Sequence, residues 1–351
     1  MFDSFKNFMM QIKRAWDIYV NPPEESKIFV PPEDIAEIAG EIDSIPTKGQ
    51  PKQVATWNNY AIVSCMSGKA VQFFDTKDDL KFVGEVEFDD QCVELETSGD
   101  FLYITSTNFA RTPQPKHNYF SIMDLNSMQV VSSVETGGNW SKVIRKDPVR
   151  EYVLVSNWHS HDISVISIED KNQPRVVQIL TPPQGRQQLE SPRGIDFTSD
   201  GKIALVTGFY SKNMLEIQFD SACGYYFSYI SPKLGTAEYG GAPRDIVVDS
   251  DDTALFSNLG DNTINKWSIS GREVIQRVRV GKEPNSIRLL ENNILAVSCR
   301  ASKAVYMLDT KSLEIVGRST MTGETPTGLA PIEGGFLATD FDSNQLRRFQ
   351  Y

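Results

Sequence analysis

The 351-residue chain has few of the residues that build metal centres and covalent cross-links, with four cysteines and three histidines. No Cys-x-x-Cys spacing occurs, so neither a zinc motif nor a redox pair is predicted. Cys65 and Cys299 end two similar segments, Val-Ser-Cys in both cases, which is typical of small buried residues. A disulfide framework is therefore not expected.

Long apolar runs and an excess of basic charge are also missing. No segment has the length needed to span a bilayer, and the first ten residues lack the uninterrupted apolar region of a secretory signal. We therefore expect the protein in the cytoplasm or within an assembly. The net charge of −11 argues against nucleic acid as a partner, because binding to phosphates depends on clustered Lys and Arg.

Catalytic signatures are absent as well. The sequence contains no Gly-x-Ser-x-Gly elbow. Paired carboxylates such as Asp251-Asp252 fall in predicted turns, where Asp is favoured because its side chain bonds the local backbone. The sequence alone therefore predicts no catalytic residue and no cofactor.

What the chain does contain is a repeat. A phrase of the type Gly281-Lys-Glu-Pro284-Asn-Ser-Ile287 returns seven times, and each copy precedes short apolar segments separated by Asn, Asp, Gly and Ser turns. The anchor residues are spaced about 41 to 52 residues apart and lie at Pro51, Cys92, Trp140, Pro192, Pro243, Pro284 and Pro326. This period with four strands per unit predicts an all-β fold, a seven-bladed β-propeller.

The two ends of the repeat region complement each other. The chain stops at Tyr351, where the last unit still needs a fourth strand, and the segment from Glu37 to Ile45 resembles such a strand. We therefore expect residues near Glu37 to Ile45 to close the last blade from outside, which removes open sheet edges. The predicted division is a helix and linker over residues 1–30 and a propeller over residues 31–351.

Individual units resemble a known repeat. Tyr152-Val-Leu-Val-Ser-Asn157, followed by Asp162-Ile-Ser-Val-Ile166, is similar to the strands of the YVTN-type β-propeller family. Ser191-Pro-Arg-Gly-Ile195 and Ser199-Asp-Gly201 match its anchor and turn. That family includes surface-layer repeats, binding and scaffold proteins, and relatives of lactonase. The resemblance implies the fold and leaves the activity open.

In such a propeller, the anchors and the loops between second and third strands lie on the same face. Several cationic, aromatic and histidine residues fall in those loops, namely Arg193, Arg244, Arg300, Trp158, His159, His161 and Tyr210. Arg grips carboxylate or phosphate bidentately, so this face is predicted to bind a polar or anionic group from a partner or small molecule. The alternative is a set of unconnected polar loop residues.

The three histidines, His117, His159 and His161, fall in corresponding loops of the second and third units. A His-x-His pair with a nearby carboxylate can supply three metal ligands. Ordinary exposed loop residues are the competing interpretation, and the spacing does not fix a coordination geometry.

The first thirty residues carry a different pattern. Apolar residues at spacings of three and four, including Phe5, Phe8, Ile12 and Trp16, describe one stripe of a helix that ends before Pro22-Pro23. Such an amphipathic helix can bind a protein partner, lie on a membrane surface, or cover the flank of the propeller.

Two classes of function follow. The first is a non-enzymatic interaction or scaffold protein, a structural component docked to a larger complex through the helix, with the propeller as recognition surface. The second is a small-molecule binder or lactonase-like hydrolase that uses one propeller face. The helix and the absence of a catalytic signature favour the first.

Overall fold

The computed structural model describes residues 35–109, 117–182, 190–234, 241–250, 252–321 and 323–351. Its strands form seven antiparallel four-stranded sheets. The first strands of neighbouring sheets contact one another around a central channel. The predicted all-β seven-bladed β-propeller is confirmed. The predicted helix of residues 1–30, with Phe5, Phe8, Ile12 and Trp16, lies outside the described residues.

Each of the first six blades uses four consecutive strands, which follow one another from the channel outward. Blades 1 and 2 contain β2 (Pro51–Trp57), β3 (Tyr60–Cys65), β4 (Ala70–Asp75), β5 (Lys81–Glu87), β6 (Gln91–Ser98), β7 (Phe101–Thr107), β8 (Asn118–Asp124) and β9 (Gln129–Glu135). Blades 3 and 4 contain β10 (Ser141–Lys146), β11 (Tyr152–Asn157), β12 (Asp162–Ser167), β13 (Arg175–Leu180), β14 (Pro192–Phe197), β15 (Ile203–Gly208), β16 (Asn213–Asp220) and β17 (Gly224–Ile230). Blades 5 and 6 contain β18 (Pro243–Ser250), β19 (Thr253–Asn258), β20 (Thr263–Ser268), β21 (Glu273–Arg279), β22 (Pro284–Leu289), β23 (Ile294–Cys299), β24 (Ala304–Asp309) and β25 (Ile315–Thr320), with a 3₁₀ turn at Glu291–Asn293.

Blade 7 joins the two ends of the chain. It contains β26 (Pro326–Ile332), β27 (Gly335–Asp340) and β28 (Gln345–Gln350), and its outer strand is β1 (Gly40–Pro46). β1 runs antiparallel to β28, and the Arg347 guanidinium lies 2.6 Å from the Glu41 carboxylate across the pair. The predicted closure by the N-terminal segment is confirmed, and it satisfies the edge that β28 would otherwise expose.

The closing strand begins three residues later than the sequence suggested. Instead of extending β1, Glu37 forms a parallel bridge with Arg318 of β25, and the Ile38 amide donates to the Arg318 carbonyl at 3.1 Å. The Arg318 amide in turn donates to the Ala36 carbonyl at 3.0 Å. The residues before Ala39 thus pair with the edge of blade 6, and the residues after it pair with the edge of blade 7.

The apolar core lies between blades rather than in one central mass. One cluster combines Leu154 and Val165 of blade 3 with Ile195 and Val206 of blade 4, and comparable clusters fill the other interblade spaces. This follows from β-sheets that are apolar on both faces in their middle strands. Among the described residues, no helix has the length and apolar character required to cross a membrane.

The cysteines follow the prediction of buried single thiols. Cys65, Cys92 and Cys299 are buried and free, and Cys223 is free and exposed. Burial raises the pKa of Cys65 to about 11, so this thiol stays protonated at neutral pH.

Candidate functional site

Every first strand carries an irregularity directly after its anchor residue. The register of the first and second strands shifts between Pro192 and Ile195 in blade 4 and between Pro243 and Ile246 in blade 5, and all other blades shift at the same place. Such bulges bend a strand and redirect its side chains. The first bulge residues of the seven blades are Lys52, Val93, Lys142, Arg193, Arg244, Asn285 and Thr327.

The position of the bulge shows that the anchor of blade 3 lies one residue later than the sequence predicted. Ser141, rather than Trp140, pairs with the end of the second strand, as Pro192 does in blade 4. Trp140 has a φ of 56°, and the residue before the anchor has a similar left-handed φ in three other blades, at Gln50, Ser191 and Glu283. The residue that follows the true anchor is therefore Lys142.

Seven buried hydroxyls hold the bulges and link each blade to the next. One Ser or Thr near the end of each second strand accepts a hydrogen bond from a bulge amide, as Thr207 Oγ1 does from Gly194 at 2.8 Å. The same hydroxyl donates to the first bulge carbonyl of the following blade: Ser64 to Val93 (3.0 Å), Thr105 to Lys142 (2.8 Å), Ser156 to Arg193 (3.1 Å), Thr207 to Arg244 (3.1 Å), Ser257 to Asn285 (3.5 Å) and Ser298 to Thr327 (3.1 Å). In blade 7 the Thr339 hydroxyl is hydrogen-bonded to the Thr327 hydroxyl. The Thr327 hydroxyl donates to the Pro51 carbonyl at 3.1 Å, which links blade 7 to blade 1.

This hydroxyl relay fixes the backbone from which the channel side chains project. All seven of these Ser and Thr residues are fully buried. Water therefore cannot satisfy the bulge amides and carbonyls, and the hydroxyls supply their hydrogen bonds instead. The bulge leaves an amide and a carbonyl without ladder partners, and the relay satisfies both. The positions of Lys142, Arg193 and Arg244 are thereby built into the ring itself.

Three cations, Lys52, Arg193 and Arg244, line one pocket in the channel, and Lys142 interacts electrostatically with all three. Lys52, Lys142, Arg193 and Arg244 form what we call the cation cluster, and only Glu94 forms ion pairs with it among the described residues. Glu94 Oε1 lies 3.7 Å from Lys52 Nζ and 3.8 Å from Arg193 Nη2. Sequence reasoning named Arg193 and Arg244 but missed the other three residues.

The cations outnumber their partners. Arg193 is 6% exposed, yet its Nη1 has no hydrogen-bond partner among the described residues. Neither the Arg244 guanidinium nor the Lys142 amine forms a hydrogen bond or ion pair with any residue that the structure describes. Burial, and then Arg193 as the strongest charged neighbour, hold the pKa values of Arg244 and Lys142 well below their ordinary values. Uncompensated cations of this kind favour an anion.

Other charges in the same channel are compensated. Arg145, three residues beyond Lys142, lies 3.2 Å from Asp196 and 3.8 Å from Glu96. Arg288 likewise lies 2.9 Å from Asp245. Arg145 and Arg288 therefore have carboxylate partners, unlike Arg244 and Lys142 in the described part of the chain.

Aromatic rings border the cation cluster on one side. Trp158 packs against Phe209 and Tyr210, with ring centroids 4.9 and 5.3 Å apart, and the Arg193 guanidinium lies 5.8 Å from the Trp158 ring. On blade 2, the Lys142 amine lies 4.1 Å from the Phe109 ring. Apolar rings beside charges exclude water and strengthen charge-assisted contacts.

Arg300 stands beside the cluster in a neighbouring depression. It is half-buried, its Nε has no hydrogen-bond partner, and Glu283, Lys303 and Glu324 line the same recess. Its charge still contributes to lowering the pKa values of Lys52 and Arg244. Arg300 therefore adds to the positive field without sharing the channel pocket.

The histidines do not converge on a metal site in the described residues. His161 has a φ of 62°, and its Nδ1 accepts a hydrogen bond from the Ser191 amide at 2.9 Å, so that nitrogen is occupied. His159 packs between Trp140 and His161, whereas His117 stacks on Tyr119 in blade 2. No group of three His, Cys, Asp or Glu residues suited to a metal occurs in the described ranges.

The fold and the repeat agree with a family model. The model described as "Lactonase, 7-bladed beta-propeller" matches residues 68–326, which is more than half of the chain. The chain belongs to this lactonase-type seven-bladed propeller family. The match begins within blade 1 and ends at the anchor of blade 7, so the family assignment covers most of the blades that form the channel.

Two further similarities support the same fold. Antigen Lp49 of Leptospira interrogans is 26% identical over 255 residues, which cover 68% of this chain and 53% of that protein. The chain thus spans about half the length of this curated relative. The crystal structure of the Myceliophteria thermophila Cps50 (Swd1) β-propeller domain superposes with a TM-score of 0.70 at 10% identity, covering 90% of this chain and all of that one.

Proposed function

We propose that this protein is a recognition propeller whose ligand presents an anionic group, a carboxylate or phosphate, to the cation cluster at the channel mouth. Arg193 and Arg244 receive the group, and Trp158 with Tyr210 shields it on one side. The proposal needs no chemical step, in keeping with an interaction or scaffold protein.

The observation that carries this proposal is the buried Arg193 Nη1 without a partner. An unsatisfied donor on a charged group costs free energy in the unliganded protein, and an incoming oxygen acceptor recovers it. Planar guanidinium groups suit carboxylate and phosphate because they donate two parallel hydrogen bonds. The single carboxylate of Glu94 is shared between two cations, which leaves capacity for a further anion.

Docking to a larger assembly is the second part of the proposal. The apolar stripe of Phe5, Phe8, Ile12 and Trp16 supports a role for residues 1–30 in contacting a protein partner, with peripheral membrane contact as the competing use. In this arrangement the N-terminal segment anchors the protein, and the channel mouth binds the ligand. The two parts are independent and are tested separately.

Calorimetric titration of the full chain with phosphate, acetate and citrate tests the ligand class. We expect binding to the wild type. Arg193→Ala and Arg244→Ala should each weaken it by about 1–3 kcal/mol, roughly fivefold to 150-fold in Kd, because each removes charge-assisted hydrogen bonds. Arg175→Ala is the matched control, since Arg175 is exposed on the outer strand of blade 3. Affinity that is unchanged in both channel variants would place the ligand elsewhere.

One observation favours hydrolysis as a second candidate. Burial lowers the pKa of Lys52 to about 7, with Glu94 opposing and Arg193, Arg244 and Arg300 adding to the shift. An amine that titrates near neutrality can act as a general base on water, and neighbouring cations can stabilise a developing oxyanion. Release of acid from simple lactones by the wild type, lost in Lys52→Met, would favour this candidate over recognition alone.

A further inference from the structure

Lys142 differs from the other members of the cation cluster. Its carbonyl is fixed by the Thr105 hydroxyl at 2.8 Å, and its Nζ lies 4.1 Å from the centroid of the Phe109 ring. Lys52, by contrast, has the Glu94 carboxylate at 3.7 Å. Within the described residues, the Lys142 amine contacts an aromatic face and no acceptor.

The surroundings of this amine disfavour its protonated form. Burial lowers the pKa of Lys142 first, and Arg193, Lys52 and Arg244 lower it further, while Glu94 alone opposes them. A lysine beside other cations and against an apolar surface gives up its proton more readily than a free lysine, and the neutral amine is a nucleophile. The guanidinium groups of Arg193 and Arg244 cannot take that role, because they lack an available lone pair.

We propose that Lys142 is a nucleophilic lysine that forms an imine with a small 2-oxo acid whose carboxylate binds Arg193 and Arg244. This rests on the proposed function, since the anion site supplies the binding energy. It adds a covalent step and a substrate class, a carbonyl carbon directly attached to a carboxylate. Two observations carry the inference: the Lys142 amine lies against the Phe109 ring with no acceptor among the described residues, and Arg193 Nη1 is a buried donor without a hydrogen-bond partner in the same described part of the chain.

The step balances without an oxidant or a reductant. The Nζ lone pair attacks the carbonyl carbon, a C–N bond forms, and the C=O π electrons move to oxygen. Loss of that oxygen as water, with the two hydrogens that began on Nζ, leaves the C=N double bond. The carboxylate keeps its charge throughout, so Arg193 and Arg244 hold the compound before and after the step.

Borohydride trapping with pyruvate tests the inference on the full chain. Reduction of the imine should add one carboxyethyl group to the protein, seen in the intact mass, and peptide mapping should place it on Lys142. Lys142→Arg should lose the adduct, because arginine keeps the charge without the nucleophile. Lys171→Arg is the matched control: Lys171 also lies near an aromatic ring, 5.8 Å from that of Phe101, but its amine is paired with Glu151 at 2.5 Å on the surface.

The outcomes separate this inference from the proposed function. Acetone should give no comparable adduct, because it lacks the carboxylate. Pyruvate that binds in calorimetry without a trapped adduct on Lys142 overturns the imine and leaves the anion site standing. Adducts spread over surface lysines at equal yield, and present in Lys142→Arg, also overturn it. Failure of pyruvate, phosphate and acetate to bind would remove both claims.

Discussion

A chain that starts at residue 49 should lose most of its folded state. It lacks β1, which covers β28 and places Ile45 against the blade 7 core, so Leu346 and Phe349 would meet solvent at an open edge. We expect a loss comparable to the roughly 5–15 kcal/mol that stabilises a typical domain, measured by thermal and chemical unfolding. A chain starting at residue 35 keeps β1 and is the control.

The chain that starts at residue 35 also tests whether the residues before β1 serve assembly rather than folding. A chain starting at residue 35 should melt like the full chain but lose the assembly state or partner that the predicted helix supports. If the chain from residue 49 is insoluble, a synthetic peptide of residues 35–48 added in trans should restore its folding. Equal melting of both truncated chains and the full chain would contradict closure by β1.

Arg244→Met should make the unliganded protein more stable and weaken anion binding strongly. Methionine has a similar length and no charge, so the change removes a guanidinium that has no partner in the described residues. Because Arg244 is half-buried, replacing its uncompensated charge with an apolar side chain should raise the free energy of unfolding by about 1 kcal/mol. The measurement is urea unfolding with and without phosphate, and only the wild type should gain stability from phosphate.

Arg145→Met is the matched control, and we expect it to lower the free energy of unfolding instead of raising it. Arg145 is paired with Asp196 and Glu96, so its removal leaves two carboxylates in the channel without their cation. Breaking such a partly buried network should cost at most about 3–5 kcal/mol, the cost that is typical of a fully buried pair. If both variants lost stability alike, the Arg244 side chain would be structural, and its role in the anion site would be contradicted.

The sequence was sufficient for the fold because its signals are local and repeated. Proline anchors at Pro192, Pro243, Pro284 and Pro326 mark the true starts of inner strands. The closing strand was also predictable, since the incomplete last unit implies a missing partner. Its first residues were placed wrongly because Glu37 bridges blade 6, a contact between distant segments that no local pattern records.

The site was only half predictable for a physical reason. A side chain points into the channel or into the interblade core according to the register of its strand, and a shift of one residue reverses that choice. In blade 3 the anchor lies at Ser141 instead of Trp140, so Lys142 was not predicted as a site residue. The relay was visible as a Ser or Thr near the end of each second strand, but such residues are common in strands. The partner of His161 Nδ1 depended on the Ser191 backbone, which sequence does not place.

The most direct measurement is an anomalous difference map from a crystal of the full chain soaked in selenate, a heavy mimic of sulfate and phosphate. We expect a peak in the channel mouth, within hydrogen-bond distance of Arg193 Nη1 and the Arg244 guanidinium, that disappears in Arg244→Met. Peaks confined to exposed side chains such as Lys202, with an empty channel mouth at saturating selenate, would contradict it.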